Sequence, residues 1–261
     1  MIRYETRDQI AHVIIDRPEK KGAMTYAILA DFYEAIGTAS TDDDVRAVVI
    51  EGTGGSFCAG TDLSDLNDTP EDQRGRRGAQ KEGAQGAPPP MIITTCPRPV
   101  IAAVDGPAVG MGAEFVTQAD VRIASTRAKF GWVFVLRGLV ADTGAGTFLL
   151  PRIVGASEAM RLLFSGEIID AQTALDIGFV SKVVEPDDLP AAAEDEAARY
   201  LKSSPFAVAR MKKLVYGGMF NDINTHAAQT AAALAECFGS KDHAEGVAAF
   251  LERRPAYFTG Q

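Results

Sequence analysis

The sequence predicts an α/β protein in which strands and helices alternate in the N-terminal part and helices prevail in the C-terminal part. Short, continuous apolar runs at residues 46–51 and 100–104 are typical of strands buried on both faces. Each of these runs leads, through glycine, toward the start of a helix. From residue 187 onward the spacing of apolar residues is helical, which places a helical region at the C-terminus.

The individual elements follow from these patterns in order. Two strands, 2–6 and 10–16, open the chain as a hairpin, and a charged loop then leads to an amphipathic helix over 24–36. The further predicted strands are 46–51, 100–104, 120–125 and 179–184. The further predicted helices are 156–164, 171–177, 187–203, 205–217, 221–238 and 241–252. Residues 64–90, with their Gly-Ala-Pro-Pro-Pro run, predict either a mobile flap beside a site or a surface insertion.

Composition excludes several classes of protein. The chain has 261 residues, is 46% hydrophobic and carries a formal net charge of −9, which argues against nucleic-acid binding. Three cysteines without metal-ligand spacing favour a reduced, cytoplasmic protein without disulfides or zinc. The opening MIRYETRDQIAHVIID is interrupted by charges, so we expect neither a signal peptide nor a membrane span.

The stretch PVIAAVDGPAVGMGAE, which ends at Glu114, is the most informative in the chain. It predicts a buried strand, a glycine turn and a helix start, and FCAGTDL at 57–63 repeats that pattern. Backbone N–H groups at a helix start lack intrahelical partners, so two such turns could together hold the developing negative charge of an enolate or an acyl-transfer intermediate. A carboxylate at Glu114 could move a proton beside that charge. The alternative is a structural turn with a solvated glutamate.

A second candidate acid stands in the glycine-rich segment 128–155. Asp142 is the only acidic residue between Asp120 and Glu158, and the surrounding residues are strongly apolar. An acid in an apolar wall has a raised pKa, which suits proton transfer near neutral pH. The alternative is that Asp142 caps a helix beginning around Thr143.

Taken together, several motifs resemble the crotonase, or enoyl-CoA hydratase/isomerase, superfamily. The motifs are RPEKKGAM, FCAGTDL, AVDGPAVGMGAE, LLPRIVG, AQTALDIGFVSKVVEP and AFLERRPAYF, in the family's order over nearly the whole chain. The resemblance implies the ClpP/crotonase fold of repeated ββα turns, with a core at 1–195 and a helical region at 196–261. It also implies an acyl-CoA thioester substrate, no metal and no cofactor beyond the coenzyme A of the substrate. That helical region is implied to form a homotrimer, often a dimer of trimers.

The resemblance also implies roles for particular residues. The backbone N–H groups of Thr61 and Met111 correspond to the oxyanion hole, and Glu114 and Asp142 are the candidate acid/base residues. The residues expected to contact the substrate or its coenzyme A are Lys20, Lys21, Ala23, Ala59, Gly60, Asp62, Leu63, Ser64, Gly110 and Phe134.

The acids point to the type of reaction. Hydratases of the superfamily place two carboxylates at the positions of Glu114 and residue 134, but residue 134 here is Phe134. Isomerase branches place an acid in a Gly-Leu-Val-Pro-Asp/Glu segment, which here reads Gly-Leu-Val-Ala-Asp and ends at Asp142, although the chain has one extra residue between Gly138 and Leu149. Dienoyl-CoA isomerases have a similar Gly-Leu-Ala-Ala-Asp segment, so the two acids fit either a double-bond isomerase or a dienoyl-CoA isomerase. We expect a double-bond isomerase using Asp142 and Glu114. A hydratase using Glu114 alone is the alternative.

Functions of other classes are weaker. A non-catalytic acyl-CoA binder or scaffold could keep the fold, but two acids in an apolar setting argue against it. The dinucleotide fingerprint fails, because Phe115 stands where its third glycine should be. Cys58 as a nucleophile, with His12, His226 or His243 as its base, is a further hypothesis, although a buried inert thiol is the commoner role.

Overall fold

A computed structural model describes residues 1–62 and 91–261, so the segment 64–90 predicted as a flap or insertion lies outside the described residues. The main sheet has six strands in the order β1-β2-β3-β4-β6-β9. β1 and β2 form an antiparallel hairpin, and all the other neighbours are parallel. These strands are β1 (Ile2–Arg7), β2 (Ile10–Ile15), β3 (Ala47–Gly52), β4 (Val100–Val104), β6 (Val121–Ser125) and β9 (Lys182–Val184).

The hydrophobic pattern explains the centre of this sheet. Every residue of β2 and β4 is buried, as expected for strands covered on both faces. The hairpin turn between β1 and β2 places Asp8 and Gln9 at positive φ, of 47° and 66°, which is the twist that two-residue hairpins favour.

A second, smaller sheet has the order β5-β7-β8 and was not predicted. Its strands, β5 (Pro107–Val109), β7 (Lys129–Gly131) and β8 (Ile168–Asp170), have only three residues each. Strands this short carry no usable periodicity, and Pro107 directly follows a turn signal, so sequence patterns assigned it to the turn. The small sheet matters because β5 connects the two glycine turns of the candidate site. Its residue Ala108 bridges Cys58 of the first turn, and β5 leads directly into the second turn at Gly110.

Every predicted helix is present near its predicted position, and three short helices, at 92–95, 145–148 and 150–154, were not predicted. The helices are α1 (Tyr26–Thr41), α2 (Ile92–Thr95), α3 (Met111–Gln118), α4 (Ala145–Phe148), α5 (Leu150–Val154), α6 (Ala156–Ser165), α7 (Ala171–Asp176), α8 (Leu189–Ala198), α9 (Pro205–Gly218), α10 (Ile223–Phe238) and α11 (Lys241–Glu252). α1 begins two residues later than predicted because the side chain of Thr25 caps it, accepting a hydrogen bond from the N–H of Ile28 at 3.2 Å. α8 is shorter than the predicted 187–203 and spans the predicted boundary at 195.

Two apolar layers cover the main sheet. One face packs against α1 and α3, with Phe32 of α1 stacked on Phe115 of α3 at a ring distance of 4.6 Å. The other face packs against α8. In the described part of the chain, no helix is long and apolar enough to cross a membrane.

Helix α9 is joined to the sheet by a largely buried polar group. Nζ of Lys212 lies 2.6 Å from Oδ2 of Asp120, and the hydroxyl of Tyr216 donates to Oδ1 of the same carboxylate at 2.8 Å. Oδ2 also accepts the N–H of Val100, the first residue of β4. This carboxylate therefore fixes the start of the C-terminal helical region against the strand that leads to the candidate site.

Candidate active site

The two glycine turns meet, as the sequence predicted. The N–H of Cys58 donates to the carbonyl of Pro107 at 2.9 Å, and the N–H of Val109 donates to the carbonyl of Cys58 at 2.9 Å. These bonds join the FCAG segment to β5, directly before α3. The two turns are therefore held in contact by backbone hydrogen bonds.

Glycine is needed where the turns touch. A Cβ atom on Gly60, whose φ is +101°, would lie 3.0 Å from the carbonyl oxygen of Val109 and 3.8 Å from the nitrogen of Met111. Within residues 1–62 and 91–261, the N–H groups of Thr61 and Met111 donate no hydrogen bond. The predicted pair of donors thus comes from two adjoining turns, and Gly110, at φ +58°, immediately precedes Met111. Ala59 and Gly60, which were predicted to contact the substrate, both lie in the first of these turns, the FCAG segment.

The loop at residues 17–23 packs against the first of these turns. The N–H of Ala59 donates to the carbonyl of Lys21 at 2.9 Å, and the N–H of Met24 donates to the carbonyl of Gly60 at 2.8 Å. Lys20 and Lys21 have exposed side chains beside this turn. The structure therefore brings the predicted coenzyme A loop and the predicted oxyanion turn together.

Asp62 has a structural partner. Its Oδ2 lies 2.9 Å from a guanidinium nitrogen of Arg17, and another nitrogen of Arg17 donates to the carbonyl of Ala23 at 2.7 Å. Asp62 is only 7% exposed, so this ion pair ties the loop to the turn. Leu63 and Ser64, which were also predicted to contact the substrate, lie outside the described residues.

Glu114 is completely buried in α3 and is held at both oxygens. The N–H of Gly146 donates to Oε1 at 2.7 Å, and the hydroxyl of Thr143 donates to Oε2 at 2.6 Å. Burial raises the pKa of Glu114 to about 7, although these two hydrogen bonds favour the charged form and oppose the rise. The alternative of a solvated glutamate is therefore wrong.

Asp142 lies close enough for its charge to act on Glu114. The residue as a whole is exposed, yet desolvation of its carboxyl group raises its pKa to about 6. The charge of Asp142 in turn raises the pKa of Glu114 and of Tyr33. The alternative helix-capping role is wrong, because α4 begins at Ala145 and has no side-chain cap.

Two aromatic residues, Trp132 and Phe134, lie at or just before a short 3-10 turn. Phe134 lies in the 3-10 turn Val133–Arg137, is partly buried and packs against the main core. Trp132, just before this turn, is completely buried. A Cβ atom on Gly146 would lie 3.0 Å from Cδ1 of Trp132, so this ring is beside the loop that binds Glu114. One aromatic ring therefore lies beside the loop that holds the Glu114 carboxylate.

Sequence reasoning missed three residues near the acids: Tyr33, Thr143 and Gly146. Tyr33 lies in α1 among apolar residues whose helical spacing is typical of a core. Nothing in the sequence therefore indicated that it lies near Asp142. Thr143 and Gly146 lie in a glycine-rich segment whose approach to Glu114 depends on the tertiary fold.

The nucleophilic-cysteine hypothesis is wrong for Cys58. Its side chain is completely buried, and burial raises the pKa of the thiol to about 12. A thiol that stays protonated and inaccessible is unreactive. Among the described residues, no group of three or more histidine, cysteine or acidic side chains is placed to hold a metal ion.

We expect Gly146→Ala to disturb Glu114 directly. The added Cβ would lie 2.4 Å from Oε1 of Glu114, so the carboxylate must move and lose its backbone donor. Activity on any substrate that needs Glu114 should fall at least about tenfold, because a charge-assisted hydrogen bond is worth about 1.5–3 kcal/mol. Gly37→Ala, in α1 with no neighbouring atom within 4 Å, is the control and should leave activity unchanged. Equal activity of both variants would contradict the described contact.

Comparisons with known proteins agree over almost the whole chain. The family model described as "Enoyl-CoA hydratase/isomerase" matches residues 5–261. A short-chain-enoyl-CoA hydratase from Clostridium acetobutylicum is 36% identical, with 96% of this chain and 94% of that protein covered. A 1,2-epoxyphenylacetyl-CoA isomerase from Escherichia coli is 33% identical, with 95% and 94% covered. The crystal structure of an enoyl-CoA hydratase from Bacillus anthracis superposes with a TM-score of 0.91 at 27% identity, covering 100% of this chain and 99% of the other.

Proposed function

Because the chain belongs to the enoyl-CoA hydratase/isomerase, or crotonase, family and has its fold, we propose that it moves the double bond of a 3-enoyl-CoA thioester to the 2-position. In this proposal Asp142 is the acid/base that transfers the proton, and Glu114 is its partner. The observation that carries the proposal is that the charge of Asp142 acts on the buried Glu114, so that two acids lie close together.

The pKa values divide the two acids into a base and an acid. With a pKa of about 6 for Asp142 and about 7 for Glu114, Asp142 is mostly ionised and Glu114 mostly protonated between these pH values. In this state the ionised carboxylate can remove a proton from one carbon, and the protonated carboxyl group beside it can act as an acid.

The reaction needs a stabilised enolate and the net movement of one proton from C2 to C4. Asp142 takes a proton from C2, and the electron pair moves onto the thioester oxygen, where the N–H groups of Thr61 and Met111 would receive it. The enolate then re-forms the thioester carbonyl as C4 takes a proton from Glu114 and the double bond comes to lie between C2 and C3. The proton that Asp142 removed from C2 then passes to Glu114. No atom is gained or lost overall, and the carboxylate is restored.

The nucleotide end of the substrate would lie along the loop at 17–23. Lys20 and Lys21 are exposed cations there and could pair with phosphate groups, while Ala23 and the turn of Ala59 and Gly60 would border the pantetheine. The Arg17–Asp62 ion pair would hold this loop in place. The proposal requires no metal and no cofactor apart from the coenzyme A that the substrate itself carries.

The C-terminal helices would mediate assembly into a homotrimer or a dimer of trimers. A cavity of about 480 Å³ lies between α9, α10 and α11, away from Glu114 and Asp142, and its lining is largely apolar. The large apolar side chains Phe250, Leu251 and Tyr257 are strongly exposed nearby. Exposed apolar surface of this kind is typical of contacts between subunits, so we assign this region to association rather than to chemistry.

Hydration is the second candidate, and the relatives favour it. The short-chain-enoyl-CoA hydratase from C. acetobutylicum is a hydratase by name, and at 36% identity it exceeds the 33% of the E. coli isomerase. Under this candidate Glu114 alone would orient and deprotonate water. The aromatic ring of Phe134 could not assist, because it can neither accept nor deliver a proton.

The two candidates are separated by the substitution Asp142→Asn. With a 3-enoyl-CoA as substrate, wild-type protein should generate the conjugated thioester chromophore, and the variant should do so about 10²-fold or more slowly, the usual worth of a positioned acid/base. With a 2-enoyl-CoA, loss of the chromophore should be absent or weak in both proteins.

Asp176→Asn is a matched control, because Asp176 is exposed at the end of α7 and its carboxylate accepts a hydrogen bond from Gln172 of the same helix. It should leave isomerisation unchanged. Consumption of the 2-enoyl-CoA by wild type, unaffected by Asp142→Asn and abolished by Glu114→Gln, would establish the hydratase instead. Tight binding of both thioesters without turnover would indicate a non-catalytic binder.

A further inference from the structure

A threonine beside Asp142 contacts the buried glutamate directly. Oγ1 of Thr143 lies 2.6 Å from Oε2 of Glu114. The same oxygen lies 3.3 Å from Nε2 of Gln118 and 3.3 Å from the backbone nitrogen of Ala145. Gln118 is itself buried at the end of α3, so two side chains of α3 and one backbone N–H at the start of α4 converge on one hydroxyl group.

The direction of these hydrogen bonds follows from counting hydrogens. A hydroxyl group has one hydrogen to donate and two lone pairs that accept. The nitrogens of Gln118 and Ala145 can only donate, so they occupy both lone pairs of Thr143. The single hydroxyl hydrogen is therefore directed at Glu114, and the chain of donors runs from Gln118 through Thr143 to the carboxylate.

We propose that Thr143 is a positioning residue that orients the carboxylate of Glu114 and favours its ionised form, with Gln118 fixing the direction of the Thr143 hydroxyl group. Its importance for catalysis rests on the proposed function, in which Glu114 acts as the partner acid. Its effect on the titration of Glu114 does not, because that effect depends only on contacts within the protein.

Only a few groups act on the ionisation of the Glu114 carboxyl group in the described part of the chain. Burial and the charge of Asp142 disfavour the carboxylate, while the Thr143 hydroxyl and the backbone N–H groups of Ala145 and Gly146 favour it. Within the described part of the chain, Asp142 is the titratable group whose charge acts on Glu114. Removing the hydroxyl leaves burial and Asp142 opposed by backbone donors alone, so the protonated form should persist to higher pH.

The test is a pH titration of Glu114 in the full-length protein. Infrared difference spectra between each protein and its Glu114→Gln derivative follow the protonated carboxyl group without any substrate. Thr143→Val should raise the midpoint by about one pH unit or more, since it removes a hydrogen bond to the charged form of Glu114. Thr143→Ser keeps the hydroxyl and should leave the midpoint near that of wild type.

Two further variants sharpen the result. Thr147→Val makes the same change four residues along, where the hydroxyl donates to the carbonyl of Gly144 at 3.2 Å and not to Glu114, so its midpoint should match wild type. Gln118→Met removes a donor to Thr143 and should raise the midpoint by less than Thr143→Val, which provides a test even where the valine variant does not fold.

The inference is overturned by an unchanged midpoint in folded Thr143→Val, or in Gln118→Met where the valine variant does not fold. Equal shifts in the serine and valine variants would also overturn it, since the hydroxyl would then be irrelevant. If the midpoints move as expected while wild type leaves a 3-enoyl-CoA unchanged, the positioning role holds and the proposed isomerase fails.

Discussion

Replacing Gly112 with alanine is expected to lower the stability of the protein and to reduce catalysis by about 10²-fold or more, the usual consequence of losing one oxyanion donor. A Cβ atom at this position would lie 2.1 Å from the carbonyl oxygen of Cys58. That oxygen belongs to the backbone and accepts the N–H of Val109, so no side-chain rotation can relieve the clash. The two turns must separate, and the N–H of the adjacent Met111 moves with them.

Helix propensity alone would predict that Gly112→Ala makes the protein more stable. Gly112 lies in the first turn of α3, where alanine is favoured over glycine by about 1 kcal/mol. Overpacking in a tightly packed interior costs about 1–3 kcal/mol, and here the contact is with backbone, so the clash should win. Urea denaturation and steady-state kinetics on the same samples measure the two effects.

Gly217→Ala is the matched control for this experiment. Gly217 is also in a helix, α9, and no described atom lies within 4 Å of where its Cβ would be. Propensity should then act alone, and the variant should be as active as wild type and as stable or more so. A Gly112→Ala protein that behaves in the same way would show that the two turns do not touch.

The parts of the fold that sequence patterns predicted are those whose signals are local. β2 and β4 are buried along their whole length, so their apolar runs marked them clearly. The glycines around Met111 predicted a helix start because they too are a local signal. The small sheet escaped prediction because three-residue strands are defined by partners far along the chain, such as β5 with β7.

The candidate site shows the same division between local and tertiary signals. Glu114 and Asp142 stood out in the sequence as acids in unusual surroundings. The reasoning for Asp142 was only partly right: desolvation does raise its pKa, but of the apolar residues around it Trp132 is buried while Leu136 and Val140 are exposed, so they do not form a continuous apolar wall. The contacts that hold Glu114 could not be predicted, because they join residues about thirty positions apart through a loop without regular periodicity.

Glu114→Gln is expected to change both catalysis and the pH dependence of stability. As a missing acid/base it should reduce turnover about 10²–10⁴-fold. The pKa of Glu114 is about 7 in the folded protein against 4.5 for an unperturbed glutamate, so the folded state binds the proton more tightly than the unfolded state does. The stabilisation from that proton is complete below pH 4.5 and is lost as the pH rises through 7.

The size of the effect follows from the same difference. At about 1.4 kcal/mol for each unit of pKa, wild type should lose about 3 kcal/mol of unfolding free energy relative to Glu114→Gln between pH 4.5 and 8. Urea denaturation of both proteins across this range, at one fixed protein concentration, measures the difference directly. Titrations common to both proteins cancel in the comparison.

Glu158→Gln should respond in the opposite direction and serves as the control. The hydrogen bonds from Arg161 lower the pKa of Glu158, so its contribution to stability is present at neutral pH and is lost as the pH falls. Parallel stability curves for wild type and Glu114→Gln would mean that the buried carboxyl group titrates normally. That result would remove the protonated acid from the isomerisation scheme, because a normally titrating Glu114 would be ionised throughout the neutral range and could not supply a proton beside the ionised Asp142.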